Sequence, residues 1–204
     1  QVFISQYLGN QESLDAQTAF RHTANHLLQL LDARPERVLC DSHPGYFVSQ
    51  EAKAFAAQRG IPVTSVNHHE AHFAAVLAEN ELLDSTEPVM GVIWDGAGYG
   101  EDKQVWGGEF FIYNNGIIHR RAHLDYFPQL LGDKMNREPR LSALSLLRLH
   151  PGKDHPVKKY FTTAEWDYYQ KTVQQPPRLL TSSMGRLLDG IASILDVCQY
   201  NSYE

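Results

Sequence analysis

The sequence predicts an α/β fold, with a mixed β-sheet flanked by helices over residues 1–128 and a mainly helical stretch over 129–204. Three observations carry that expectation. Strand-like and helix-like segments alternate through the first half, the pattern of a layered α/β domain. Asn114, Asn115 and Gly116 lie between two β-rich runs, a strong short-range hairpin signal. After Pro128 the apolar spacing turns helical.

Taken in order, residues 2–5 (VFIS) read as the end of a strand. A helix follows over 13–33, with Leu14, Phe20, Ala24, Leu27, Leu28 and Leu31 near helical spacing. ERVLCDS is a short apolar run of buried-strand type. The next helix, over 48–58, is closed by Gly60, which supplies the left-handed cap that ends many helices. IPVTSVN is a strand, and VNHHEAHFAAVL (66–77) carries the chain from that strand into a helix. PVMGVIWDG is a buried strand ending at Asp95 and Gly96; EFFIY and IIHRRAHL are the arms of the hairpin. Helices are expected over 141–149, 163–173 and 183–197, with Pro176 and Pro177 separating the last two.

Composition narrows the function classes. A formal net charge of −6 argues against a nucleic-acid partner, because binding driven by counterion release needs a net basic face. The basic stretch at 153–159 (KDHPVKK) reads as a solvated loop. No apolar run reaches the roughly 18 residues of a membrane span, and the start lacks the basic and apolar regions of a signal peptide. Cys40 and Cys198 both sit in apolar segments and read as packed thiols in a reducing compartment, the cytoplasm. The first residue is not Met and the last segment follows a strong helix pattern, so the chain is expected to be a piece of a longer one.

His68 and His72 are four residues apart, so on a helix they share a face about 5 to 6 Å apart, close enough for two imidazoles to chelate one cation. A carboxylate or a further His from another element is then expected, since two nitrogens leave a metal under-coordinated. His69 is expected to point elsewhere. The zinc-protease pattern HExxH is absent, because Phe73 stands four residues after His69. The plainer alternative is a polar cap at a helix start. Location favours a ligand, because sites in open α/β sheets gather beyond the carboxyl ends of strands.

Two glycine-bearing stretches carry weaker signals. Asp95 is followed by Gly96, Gly98 and Gly100, which allow a tight turn, and Gly107 and Gly108 open the next strand with bare N–H groups suited to phosphate oxygens; a tight hairpin is the alternative. In TSSMGRLLDGIASIL a serine caps the helix, and Leu187, Leu188, Ile191 and Ile194 are expected in the core. Gly185 in the first turn lets a ligand press on the backbone, and Asp189, one turn on, suits a ribose hydroxyl.

The ordered set FISQYLGN, CDSHPGYFVSQ, VNHHEAH, WDGAGYGEDKQVWGGEF, LLGDKMNREPR and TSSMGRLLD resembles the HypF carbamoyltransferases of hydrogenase maturation, in their TsaD-like transferase domain, over essentially the whole chain. The resemblance implies an actin-like, ribonuclease H-like fold of two lobes, the second incomplete here. It implies transfer of a carbamoyl group from carbamoyl adenylate, made elsewhere in the polypeptide from carbamoyl phosphate and ATP, to a C-terminal cysteine of a HypE partner. It places His68, His72 and Asp95 on metal-ligand positions, with iron or zinc the usual ions. Gly107 and Gly108 fall near the adenylate phosphate, and Gly185 and Asp189 near its ribose. The family's PGGD reads LLGD here, and Leu141 stands where a Trp is expected. Threonylcarbamoyl transfer to tRNA, as in the TsaD branch, and a non-catalytic nucleotide-binding scaffold are the alternatives. An incomplete second lobe is expected to expose apolar surface and favour self-association.

Overall fold

The computed structural model describes residues 2–149 and 155–202; Lys153 and Asp154 of the basic stretch lie outside the described residues. The chain divides by packing into two compact units, Gln1–Asn67 and His68–Glu204. This division differs from the boundary expected at 128/129. Phe127, Pro128 and Leu180–Thr181 share one sheet with residues 89–123, so that boundary does not separate packed bodies.

The first unit holds helix α1 (Leu14–Leu30), strand β1 (Val38–Asp41), helix α2 (Phe47–Arg59) and strand β2 (Val63–Val66). Ser13 caps α1 by accepting from the Ala16 N–H, and Gly60 ends α2 at φ 65°, as expected. The strands pair in parallel from Val38–Val63 to Asp41–Val66, with α2 as the crossover such a pair requires. Arg21 grips Glu51 through two hydrogen bonds of 2.8 and 2.7 Å, tying α1 to α2. The apolar stripe of α1 does not close into a core. Phe20, Leu27, Leu28 and Leu31 instead line, with Val38 and Phe55, a groove of about 880 Å³. The strand expected at residues 2–5 does not form: Val2 and Ile4 are almost fully exposed, and no described strand lies beside them to satisfy their N–H and C=O groups.

The second unit opens with helix α3 (His68–Glu79) and continues through strands β3 (Val89–Tyr99), β4 (Val105–Asn114) and β5 (Ile117–His123). The turn between β4 and β5 has Asn115 at φ 51° and Gly116 at φ 78°, the two positive angles of a hairpin whose twist matches its strands. Two-residue strands β6 (Phe127–Pro128) and β7 (Leu180–Thr181) complete a five-stranded sheet. It is mixed: β7 runs parallel to β4 at Val105, and the other pairs are antiparallel. Helix α3 lays Phe73 and Leu77 on Trp106, Phe111 and Tyr113. Gly91 permits this approach, since a Cβ there would stand 2.5 Å from the Phe73 ring.

The rest of the unit is helix α4 (Lys134–Arg137), α5 (Pro139–Leu146) with a 3₁₀ turn at Leu147–Leu149, a further 3₁₀ turn at Lys158–Tyr160, α6 (Thr163–Gln174) and α7 (Met184–Ile194). Helix α5 starts two residues earlier than expected because Pro139 takes its first position, where no N–H is needed. Leu141 and Leu144 join Phe127, Met135, Val157 and Tyr169 in the second core. Helix α7 turns its apolar stripe outward, against expectation: Leu188 and Ile191 are exposed, while Gly190 and Ser193 are buried. Close approach decides this, since a Cβ on Gly190 would stand 2.4 Å from Leu146 Cδ1 and 3.2 Å from the Ala143 nitrogen. Large residues on that face would separate the two helices.

Arg140 is buried and sits between two carboxylates, 2.7 Å from Glu138 and 2.8 Å from Glu165, with a 2.6 Å bond to the Tyr160 carbonyl. The Arg140 guanidinium, with the Thr162 N–H, pushes the Glu165 carboxyl down to about 2 from an ordinary value of 4.5. A depressed carboxylate stabilises the fold above its unfolded value and loses that contribution as pH falls through its folded one. Melting between pH 4.5 and 2 is therefore expected to decline more steeply for the natural chain than for Glu165→Gln, and parallel curves would refute the linkage.

Candidate metal centre

The site forms where the first turn of α3 meets the distorted end of β3. β3 does not stop at Asp95, as expected, but runs to Tyr99 with an irregularity between Trp94 and Gly98. Trp94 pairs with Gly108 and Gly98 with Trp106, so Asp95, Gly96 and Ala97 stand opposite Gly107 alone. Such a bulge leaves residues outside the ladder and re-aims their side chains. Here it turns the Asp95 carboxylate toward α3.

One helical turn brings His68 Nε2 to 3.1 Å from His72 Nε2. Asp95 Oδ2 lies 3.1 Å from the first and 3.9 Å from the second, and one ligand atom from each residue falls within 4.8 Å of the others. Two atoms bound about 2.1 Å from a tetrahedral ion lie about 3.4 Å apart, which is the spacing of this set. Asp95 Oδ2 is itself buried, with His68 Nε2 as its nearest partner among the described residues. Two imidazoles and one carboxylate suit zinc or ferrous iron and leave further coordination positions open. The His68 imidazole, aided by the Gly96 N–H, holds the Asp95 carboxyl below its ordinary value against the effect of burial.

His69 does not point elsewhere. It is fully buried, with Nε2 3.6 Å from Asp95 Oδ2 and its ring beside Trp106. Burial drives its pKa down to about 4, the Asp95 charge only partly offsetting this. Gly98 makes room for the ring, since a Cβ there would stand 2.4 Å from His69 Cε1.

Behind Asp95 the chain is cross-tied by polar groups. Ser183, the N-cap of α7, donates to the Gly96 carbonyl at 2.5 Å and lies 3.2 Å from that of Asp95, while accepting from the Arg186 N–H. Ser182 donates to Glu109 Oε1, which also accepts from the Gly107 and Gly108 N–H groups at 3.2 and 3.3 Å. Arg120 closes the network with a 2.6 Å bond to Glu109 Oε2, its guanidinium 3.8 Å over the Trp106 ring. Burial pushes the Glu109 carboxyl up, but Arg120, Ser182 and the Gly107 N–H outweigh it and hold the group below its ordinary value.

The glycines expected to meet a nucleotide are explained here by the chain itself. A Cβ on Gly107 would stand 2.6 Å from the Asp95 carbonyl, and one on Gly108 would stand 2.3 Å from that of Ser182. Their N–H groups are engaged by Glu109 rather than bare. Gly185 lets the start of α7 meet β3, its Cβ position lying 3.0 Å from Gly96 Cα. Gly107 and Gly185 thus converge with Asp95, whereas Asp189 lies one turn along α7, ion-paired to Arg186 at 2.8 Å, with its carboxyl pushed up by burial. Glu109 and Arg120 escaped the sequence reading, and of Ser182 and Ser183 it foresaw only that one caps the helix, a role that falls to Ser183. A charged residue inside the apolar run GGEFFIY was the signal for Glu109, because a strand of that texture buries whatever it carries.

Comparison with known proteins follows the same lines. Residues 91–204 match the family described as "Carbamoyltransferase, Kae1-like Domain, second subdomain", and residues 1–79 match "HypF Kae1-like domain". The chain is 35% identical over 222 residues to carbamoyltransferase HypF of Synechocystis sp., covering all of this chain and 28% of that protein. It is 33% identical to carbamoyltransferase HypF of Rhodobacter capsulatus, again over the whole chain and 28% of the relative. Among solved structures, full-length HypF in a phosphate- and nucleotide-bound form superposes with a TM-score of 0.86 at 30% identity, covering 99% of this chain and 26% of that one. HypF of T. kodakarensis gives 0.83 at 28% identity, covering 98% and 28%. The chain therefore spans about a quarter of the length of these relatives.

Proposed function

This chain belongs to the HypF carbamoyltransferase family, and on that premise we propose that it forms part of the domain that transfers a carbamoyl group from carbamoyl adenylate to the cysteine thiolate of a HypE-like protein. The observation that carries the reading is the convergence of His68, His72 and Asp95 within 4.8 Å, in a chain whose relatives are named for carbamoyl transfer. That a relative was solved with phosphate and nucleotide bound supports adenylate as the donor, formed from ATP and carbamoyl phosphate.

On this reading His68, His72 and Asp95 hold a divalent ion, iron or zinc. Such an ion supplies Lewis acidity to a carbonyl oxygen as it gains negative charge. The start of α7 faces the same place, so its N–H dipoles and the small residue Gly185 favour the adenylate phosphate, while Asp189 serves the ribose. Gly107 and Gly108 serve the phosphate only if Glu109 yields their N–H groups. In the transfer, the acceptor sulfur bonds to the carbamoyl carbon, the bond from that carbon to the phosphate oxygen breaks, and AMP leaves with the electron pair. The acceptor's proton is lost to solvent before attack, because the thiolate is the nucleophile. Thiolate chemistry of this kind suits a reducing compartment such as the cytoplasm.

The direct test combines this chain with ATP, carbamoyl phosphate, an adenylate-forming domain of the family and a HypE-like protein, and weighs the acceptor by mass spectrometry. A carbamoyl adduct on its cysteine that depends on this chain is expected. Adduct formed equally well without the chain, or never formed, would overturn the reading.

A further inference from the structure

We propose that Ser183 is a positioning residue for the metal ligand Asp95, and that through it the start of α7 sets how tightly the site holds its ion; this rests on the metal reading above. The ligand carboxylate hangs from a bulge in which Asp95, Gly96 and Ala97 face Gly107 alone. A backbone released from its ladder needs another restraint, or the carboxylate it carries wanders. Ser183 supplies one. It is fully buried, and its hydroxyl proton is directed at the Gly96 carbonyl at 2.5 Å, with the Asp95 carbonyl 3.2 Å away.

The restraint is anchored on both sides. The Ser183 N–H donates to Thr181 Oγ1 at 3.0 Å, and the neighbouring Ser182 N–H donates to the Val105 carbonyl at 3.0 Å. The Ser182 hydroxyl continues to Glu109, which is held by Arg120. Ser183 Oγ also accepts from the Arg186 N–H at 3.0 Å, so one oxygen serves the bulge and the helix together. Any ligand that shifts the first turn of α7 therefore shifts the Asp95 and Gly96 carbonyls, the peptide oxygens before and after Gly96. Gly185 leaves no slack, because a Cβ there would stand 3.0 Å from Gly96 Cα.

The experiment separates bracing from capping. Glycine is a tolerated N-cap, little worse than serine, but has no hydroxyl to donate. Threonine keeps both functions. Cobalt(II) is titrated into the natural chain, Ser183→Gly, Ser183→Thr and His72→Ala, with affinity and visible absorption as readouts and thermal melting as the check on folding. Ser183→Gly is expected to bind about 10-fold more weakly or worse, the usual effect of losing a group that orients a ligand, with an altered cobalt spectrum, in a protein that still melts cooperatively above the temperature of the titration. Ser183→Thr should restore both affinity and spectrum. Natural affinity and spectrum in Ser183→Gly would overturn the proposal, as would failure of Ser183→Thr to restore them in a folded protein. If the natural chain binds no more cobalt than His72→Ala, the metal reading itself has failed and the proposal falls with it.

Discussion

Replacing His68 and His72 together with alanine is expected to reduce bound metal from about one equivalent to less than a tenth, while leaving the fold intact. The two imidazoles supply two of the three ligand atoms that converge at the end of α3. Without them Asp95 is left with only the buried His69, whose Nε2 lies 3.6 Å from its Oδ2, and so small a set competes poorly with water for a divalent ion of the zinc or iron class. Stability should change little, because both side chains are substantially exposed, 37% for His68 and 55% for His72, and substitutions at such positions typically stay within about 0.5 kcal/mol. Elemental analysis of dialysed protein, beside a melting curve, provides the check. Equal metal in the two proteins would remove the centre from α3 altogether.

Glu109→Ala should have the largest effect on the fold, a loss of about 3–5 kcal/mol, the range for breaking a buried ion pair by removing one partner. The carboxylate is fully buried and accepts from Arg120, Ser182 and the N–H groups of Gly107 and Gly108. Alanine strands the Ser182, Gly107 and Gly108 donors and takes the closest partner from Arg120, which keeps Tyr126 at 3.0 Å and Asp102 at 3.6 Å; every stranded buried donor costs on the order of 1–3 kcal/mol. Glu109→Gln keeps an oxygen for the glycine and serine donors but sets an NH₂ group against Arg120, so its loss should be smaller. Urea unfolding of the three proteins measures both, and an alanine variant within 1 kcal/mol of the natural chain would show that water or a neighbouring acceptor, Asp102 being the nearest, takes over.

The parts of this chain that could be read in advance are those governed by local rules. The i,i+4 spacing of His68 and His72 had its consequence because any helix through them aligns the pair. The Asn115–Gly116 turn formed because its residues tolerate the positive φ that the hairpin demands. A layered α/β arrangement was likewise legible from alternating segments, and that its sheet is mixed came with the family resemblance. What escaped was decided by contact between distant segments. β6 and β7 are two residues each and have no pattern to detect. The outward stripe of α7 defied the usual reading because α7 meets α5 at Gly190, where only a residue without a side chain fits, and Leu188 and Ile191 then face away. The bulge that aims Asp95 depends on a register mismatch, which no single strand reveals. For the same reason Asp95 joined the histidines in advance only through the family resemblance, and the packing of the β4 glycines against the carbonyls of Asp95 and Ser182 had no sequence signal.

The mismatch opposite Gly107 implies a trade between regularity and aim. Excising Gly96 and Ala97 would leave Asp95 across from Gly107 and let Trp94, Asp95 and the next glycine pair without interruption. The shortened strand would be a better strand, yet its aspartate would follow the pleat and no longer lean toward the histidines. In this segment, then, the count of residues matters beside the identity of Asp95, and a two-residue deletion there would turn the candidate ligand away from the histidines.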